Sequence, residues 1–422
     1  MLSSLRLYRD PRMVAILVMG FASGLPLALT GATLTVWMRQ AGVSLTAIGL
    51  FALVGLAYIL KFLWAPVIDR VTLPWLGRPL GRRRSWTLLL QACLLGAILL
   101  LGATDPSQTP LATAAAAVLV AFLSASQDVV IDAYRVELLD ASEQGAGATA
   151  TQFGYRMGMV ASGAGALYLA EYLGWQQAYA GMALLLLPAM LVVWLTPEPR
   201  GPATEPHGRG VLPWLRSAFF EPLRDLARHD GWPLILTFIV LYKLGDALAG
   251  VMSSAFYVDT GFTRIEIANV SKVFGVLATI AGILAYGAVV LRLGVMRALL
   301  ISGVLQMLSN LLFAMQAVVG HSVPMLMLTI GVENLTGGMG SAALVAYLST
   351  LCSVQYTATQ YALLSSLAAV ARITLSSAGG AMAQATGWVV FFGLSTLAAI
   401  PGLALLVWLM RSRARPATTL HR

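Results

Sequence analysis

Twelve apolar stretches, each near the length needed to cross a bilayer, recur along this 422-residue chain and leave little room for anything else. A hydrocarbon core about 30 Å thick is spanned by about 20 helical residues, and every backbone group inside it must be paired within the protein. The stretches fall near 13–37, 44–67, 85–104, 110–132, 148–170, 177–196, 232–257, 266–290, 295–319, 323–349, 358–384 and 388–410. A composition of 58% hydrophobic and 11% charged residues cannot clothe a soluble globule. The expected fold is all-α and membrane-embedded. The first stretch exceeds the apolar core of a signal peptide and lacks a small-residue cleavage site, so it is read as a retained span.

Orientation follows from the arginines, because short loops rich in Lys and Arg stay on the cytoplasmic side. Arg6, Arg9 and Arg12 precede the first span; Arg70, Arg78, Arg82, Arg83 and Arg84 fill the second connection; Arg411, Arg413, Arg415 and Arg422 form the tail. Only Arg39 and Arg264 fall in the opposite set of connections. Both termini are therefore expected in the cytoplasm. The net charge of +9 reports this topology and contact with anionic lipid, not nucleic acid. Cys93 in the third span and Cys352 beside the tenth are badly placed for a disulfide, and no metal-ligand cluster, catalytic nucleophile or cofactor-binding loop is present.

Residues 197–231, opening with Pro197, Pro199, Gly201, Pro202 and Pro206, divide the chain into six-span halves at 1–196 and 232–422. Within this linker Trp214, Phe219, Phe220 and Leu223 alternate with Arg216, Arg224 and Arg228, as in an amphipathic helix on the inner leaflet. The halves also resemble each other. A shift of 219 lays Gly31, Gly42, Val43 and Ile48 over Gly250, Gly261, Phe262 and Ile267, and a shift of 208 lays Thr149–Phe153 over Thr357–Tyr361. Parallel six-span repeats place a substrate site between bundles near mid-membrane, which favours alternating access over an embedded transferase.

All three lysines, Lys61, Lys243 and Lys272, lie inside spans. A charge in hydrocarbon costs about 2.5–3.5 kcal/mol on insertion scales, so such groups usually face a protein interior or a watery cavity. With Arg156 and Arg372 the buried cations number five, against four acids, Asp128, Asp132, Asp246 and Glu333. That surplus favours an anionic solute. Arg156 and Arg372, on spans five and eleven, are the strongest candidates to grip a carboxylate through a planar fork. Lys243 and Asp246, three residues apart, can instead pair locally, and Lys61 can reach toward the inner headgroups. Lys272 sits toward an outer end, where it can do the same.

Further residues complete the expected site. Proton coupling needs a carboxyl whose affinity for a proton changes between states, and Asp128, Glu333 and Asp246 are the candidates. Tyr58, Gln127, Gln152, Tyr155, Tyr242, Asn334 and Gln360 offer aromatic faces and polar groups for a sugar, though each also serves as helix-packing glue. Asp69, Arg70, Asp132, Arg135 and Glu137, at the inner ends of spans two and four, form an expected gate of ion pairs. Gly20, Gly24 and Gly31, with Pro26, permit close packing and bending of the first span.

The run Ser23-Gly24-Leu25-Pro26, the segment Gly49 to Arg70, Gly81-Arg82-Arg83-Arg84 and the segment Ser126 to Leu139 resemble the major facilitator transporters, and within them the AmpG-like muropeptide permeases. The Gln127-Asp128 pattern is shared in weaker form by acetyl-CoA transporters. The resemblance implies a major facilitator fold and a monomeric, proton-driven importer in the bacterial inner membrane. Its cargo would be anhydro-muropeptides, sugar-peptide fragments moved from periplasm to cytoplasm during cell-wall recycling. Uptake of another anionic metabolite, such as an acyl-CoA-like solute, or proton-driven drug export are the alternatives.

Overall fold

The computed structural model describes residues 10–74, 76–140, 143–199, 232–351, 364, 366, 369–370 and 373–413. All regular structure among them is helical. Seven stretches are long and apolar enough to cross a membrane: Pro11–Gln40, Arg82–Gly102, Pro110–Leu138, Trp175–Leu195, Trp232–Asp259, Arg264–Val319 and Trp388–Arg411. The 56-residue stretch Arg264–Val319 turns at Gly294, whose φ of 74° breaks the helix, so it supplies two passes. The 29-residue helix Val323–Leu351, about 44 Å long at 1.5 Å per residue, fits a further pass. Helix is found in all twelve expected intervals, the eleventh being described only in part.

The chain separates into two compact units. Unit 1 comprises Met1–Val43, Leu53–Pro206 and Thr263–Lys272; unit 2 comprises Ser44–Ala52, His207–Phe262 and Val273–Arg422. Each unit follows one half of the sequence but incorporates a short segment from the other half. The amphipathic linker and its neighbours, 200–231, lie outside the described residues.

The first helix of unit 1 begins at Asp10, whose carboxylate accepts a hydrogen bond from the Arg12 backbone N–H at 2.8 Å. The Arg12 side chain also bonds this carboxyl and holds it below its usual proton affinity. The helix crosses Gln144–Val160 backbone to backbone. A Cβ on Gly24 would land on the Tyr155 carbonyl, and one on Gly158 on the Phe21 carbonyl. Small residues on both faces are what allow this approach, which in lipid supplies the packing attraction that water would otherwise drive. Thr33 donates to the Ser162 carbonyl and Tyr179 to the Leu29 carbonyl, fixing the C-terminal half of the same span. In unit 2 the same device joins spans eight and ten, where a Cβ on Gly338 would meet the Thr279 carbonyl.

The turns carry the mark of the internal repeat. Gly42 and Gly261 have φ of 80° and 87°. Each is followed by the same six-residue closure, Val43 N–H to the Met38 carbonyl and Phe262 N–H to the Tyr257 carbonyl, both at 3.0 Å. The next helix then starts on a hydroxyl cap, Ser44 in one half and Thr263 in the other. This is a helix-ending turn that needs a left-handed residue, hence glycine at both places. Gly81 and Gly294, then Gly174 and Gly387, extend the correspondence to further turns.

Candidate functional site

The second span is irregular where its charge sits. Helix Leu45–Phe51 passes through a tight 3-10 turn at Ala52–Gly55, resumes at Leu56–Leu60 and tightens again at Lys61–Leu63 before Pro66. Short 3-10 pieces inside a helix often mark hinges or functional positions. The turn directs the Lys61 ammonium at Asp128 of the helix Pro110–Leu138, 3.8 Å away, with side-chain exposures of 34% and 14%. Lys61 is therefore engaged across helices. Ser23 of the first helix donates a hydrogen bond to the other carboxylate oxygen of Asp128. Three spans thus converge on one carboxyl.

The surrounding residues hold that carboxyl in place. Trp64 Nε1 donates to Ser126 Oγ at 2.9 Å, tying the second span to the fourth two residues from Asp128. Gln127 is fully buried and its amide donates to the Ala22 carbonyl at 3.1 Å, which spends it on packing of the first and fourth spans. Tyr58 and Tyr155 are half-buried. Ser23 and Trp64 lie in motifs shared with the major facilitator transporters, but nothing in their local spacing signals these contacts.

Gln152 and Arg156 are exposed and, four residues apart, share one face of the fifth span. A guanidinium on that face is costly against lipid, so the face suits a water-filled space. Arg372 and Gln360 lie outside the described residues.

In unit 2, Lys243 is 5% exposed and pairs with Asp246 at 3.4 Å, the local arrangement their spacing allows. Tyr242 is buried and donates to the Leu299 carbonyl at 2.8 Å, a packing contact in the core with Phe238. Asn334 bridges spans eight and ten, donating to the Glu333 carboxylate and accepting from Thr279 at 3.0 Å.

The expected inner gate is arranged differently from its reading as one set. Glu137 takes a forked pair from Arg83, at 2.6 Å to Nη2 and 3.1 Å to Nε, and a longer contact from Arg82 at 3.6 Å. Arg135 pairs with Asp132 on its own helix at 3.7 Å, where Asp132 is 56% exposed. Nothing is described of the Asp69 and Arg70 side chains. Glu198 accepts from the Arg83 and Arg84 backbone N–H groups at 2.7 and 3.0 Å and so caps the helix Arg82–Gly102.

A further cluster in unit 1 involves Thr263–Lys272. Arg264 donates to Gln40 Oε1 and to the Ala170 carbonyl, both at 2.8 Å, reaches Glu171 at 3.4 Å, and lies over the Trp175 ring at 5.2 Å. Two π-helical insertions meet nearby, Ala161–Gly165 and Ile267–Phe274, where the Lys272 side chain lies along Gly163. Lys272 is thereby held against the fifth span.

The family model for the Major Facilitator Superfamily matches residues 16–245. The anhydromuropeptide permease of Escherichia coli strain K12 is 45% identical over 406 residues, covering 96% of this chain and 80% of that protein. A putative transporter AmpG 4 of Rickettsia conorii is 32% identical, covering 96% and 98%. Among solved structures, a bacterial homologue of the human lysosomal transporter Spinster, inward-facing and unoccupied, aligns with TM-score 0.68 over 98% of this chain and 99% of its own, at 14% identity. The POT family transporter PepTSo aligns with TM-score 0.67 over 97% and 99%, at 13% identity. These structural likenesses concern the fold alone. With both the family model and near-full-length relatives in agreement, the chain belongs to the major facilitator superfamily, among its AmpG-like permeases.

Proposed function

We propose that this permease imports anhydro-muropeptides from periplasm to cytoplasm across the bacterial inner membrane, driven by protons, with both termini cytoplasmic. The observation that carries the substrate is the 45% identity to the E. coli anhydromuropeptide permease over nearly the whole chain. The meeting of Ser23, Lys61 and Asp128 supports the coupling: a carboxylate held by a cation and a hydroxyl can exchange that pairing for a proton when the helices move. Exposed Arg156 supports an anionic cargo, because a guanidinium fork matches the carboxylates of a stem peptide. The arginine distribution supports cytoplasmic termini, and the likeness to the E. coli permease supports import.

Uptake of a defined anhydro-disaccharide peptide into vesicles holding the purified protein tests this reading. Accumulation should require a proton gradient directed with the substrate. Accumulation that ignores the gradient removes the coupling, and indifference to the fragment while another anion is concentrated removes the substrate.

A further inference from the structure

Unit 2 contains a buried polar stripe that none of these roles uses. Ser302, Gln306 and Asn310 follow one another at intervals of four, so they lie on one face of the helical segment 295–319. Their exposures are 0%, 4% and 1%. Ser302 Oγ, Gln306 Nε2 and both amide atoms of Asn310 have no hydrogen-bond partner among protein groups. Buried polar atoms in native proteins are nearly always satisfied, by protein or by ordered water. Four such atoms on one face therefore call for an occupant.

The stripe adjoins a cation that is itself poorly held. The Lys243 ammonium offers three donors, yet its contacts to Asp246 and to the Gly337 carbonyl are both 3.4 Å, at the outer limit of a hydrogen bond. The ammonium and the Gln306 amide both approach Gly340. A Cβ on Gly340 would stand 3.3 Å from Lys243 Nζ and 2.5 Å from Gln306 Oε1, and one on Gly337 would stand 3.5 Å from Gln306 Nε2. Glycine at 340 lets the Gln306 amide lie this close, since a side chain there would collide with it.

We propose that ordered water lies along this stripe, bound by Ser302, Gln306 and Asn310, and completes the shell of the Lys243 ammonium where Gln306 nears it. The donor set suits water: the two amides offer N–H groups, Asn310 and Ser302 offer acceptors, and a buried water needs two to four such partners. A bound cation is excluded by the adjacent ammonium. With such water in place, the solvation of the Lys243 side chain no longer rests on the Asp246 carboxylate alone. This goes beyond the transport reading and holds for any cargo.

The test is coupling of stability between the stripe and the cation, read by thermal unfolding of the purified full-length protein. Gln306→Leu should lower the Tm by about 2–4 °C, and by less than half as much when Lys243→Met and Asp246→Asn are already present. Equal shifts in both backgrounds overturn the proposal. So does a rise in either, since apolar replacement of unsatisfied groups in a dry site is neutral or stabilising. Should Gln306→Leu fail to fold, Ser302→Ala in the same two backgrounds gives the same reading. A map sharp enough to show core water should carry a peak bonded to both Gln306 Nε2 and Asn310, and an ordered but empty space there overturns the proposal.

Discussion

Lys61 and Asp128 meet at 3.8 Å across the second and fourth spans, and Ser23 reaches the same carboxylate from the first. Asp128→Asn keeps the shape and removes the titration. It should abolish accumulation driven by a proton gradient while leaving exchange of labelled for unlabelled substrate, which needs no net proton movement. Vesicle uptake and counterflow assays read the two separately; normal accumulation by the variant moves the coupling role to Glu333 or Asp246.

Removing the cation alone leaves the carboxylate uncompensated. A fully buried pair loses about 3–5 kcal/mol when one partner is deleted, and the one-third exposure of Lys61 reduces this to about 1–2 kcal/mol. Lys61→Met should therefore lower the unfolding temperature, and Asp128→Asn in the same chain should recover most of the loss.

Between the third and fourth spans of unit 1, the Arg83–Glu137 fork outweighs the Arg135–Asp132 pair, because Arg83 is 5% exposed and Asp132 is 56% exposed. Arg83→Met should cost about 3 kcal/mol or more, and Arg135→Met under about 0.5 kcal/mol. Denaturation in mild detergent would rank them, and equal losses would count against burial as the deciding factor.

Arg264→Ala removes two 2.8 Å hydrogen bonds, the Glu171 contact and the ring stacking on Trp175. Segment Thr263–Lys272 should then open more often. Amide hydrogen exchange of peptides covering it should quicken by about tenfold or more, equivalent to about 1.4 kcal/mol, while the fourth span stays protected.

Arg156→Lys keeps the charge but loses the fork. Uptake of a peptide-bearing fragment should fall more than uptake of the bare disaccharide, which lacks carboxylates on a stem peptide. Equal losses in a competition assay would give Arg156 a structural role; Arg372→Gln tests its expected counterpart on span eleven.

The helical intervals were legible because hydropathy repeats on the scale of a bilayer, and the break at Gly294 and the turns at Gly42 and Gly261 fall where sequence placed the connections. Partnerships across the fold were not. Ser23 and Asp128 are 105 positions apart, and no local spacing reports that they touch. Lys243 and Asp246 were readable as a pair since three residues bring them to one helix face. Gln127 and Tyr242 carry chemistry that suits a sugar equally well or a backbone carbonyl, and only their burial tells which use the fold makes of them here.

The exchange of short segments has a consequence for how the protein is made. Unit 1 includes Thr263–Lys272, so a ribosome that has delivered the whole first half has still not delivered all of it. During synthesis the opening six helices must wait in the membrane with the Gln40, Ala170 and Trp175 surfaces uncovered until the eighth helix emerges. A gene cut within the central linker would yield two fragments, each missing a piece that only the other can provide. Such fragments should persist when made together and be cleared by membrane proteases when made alone.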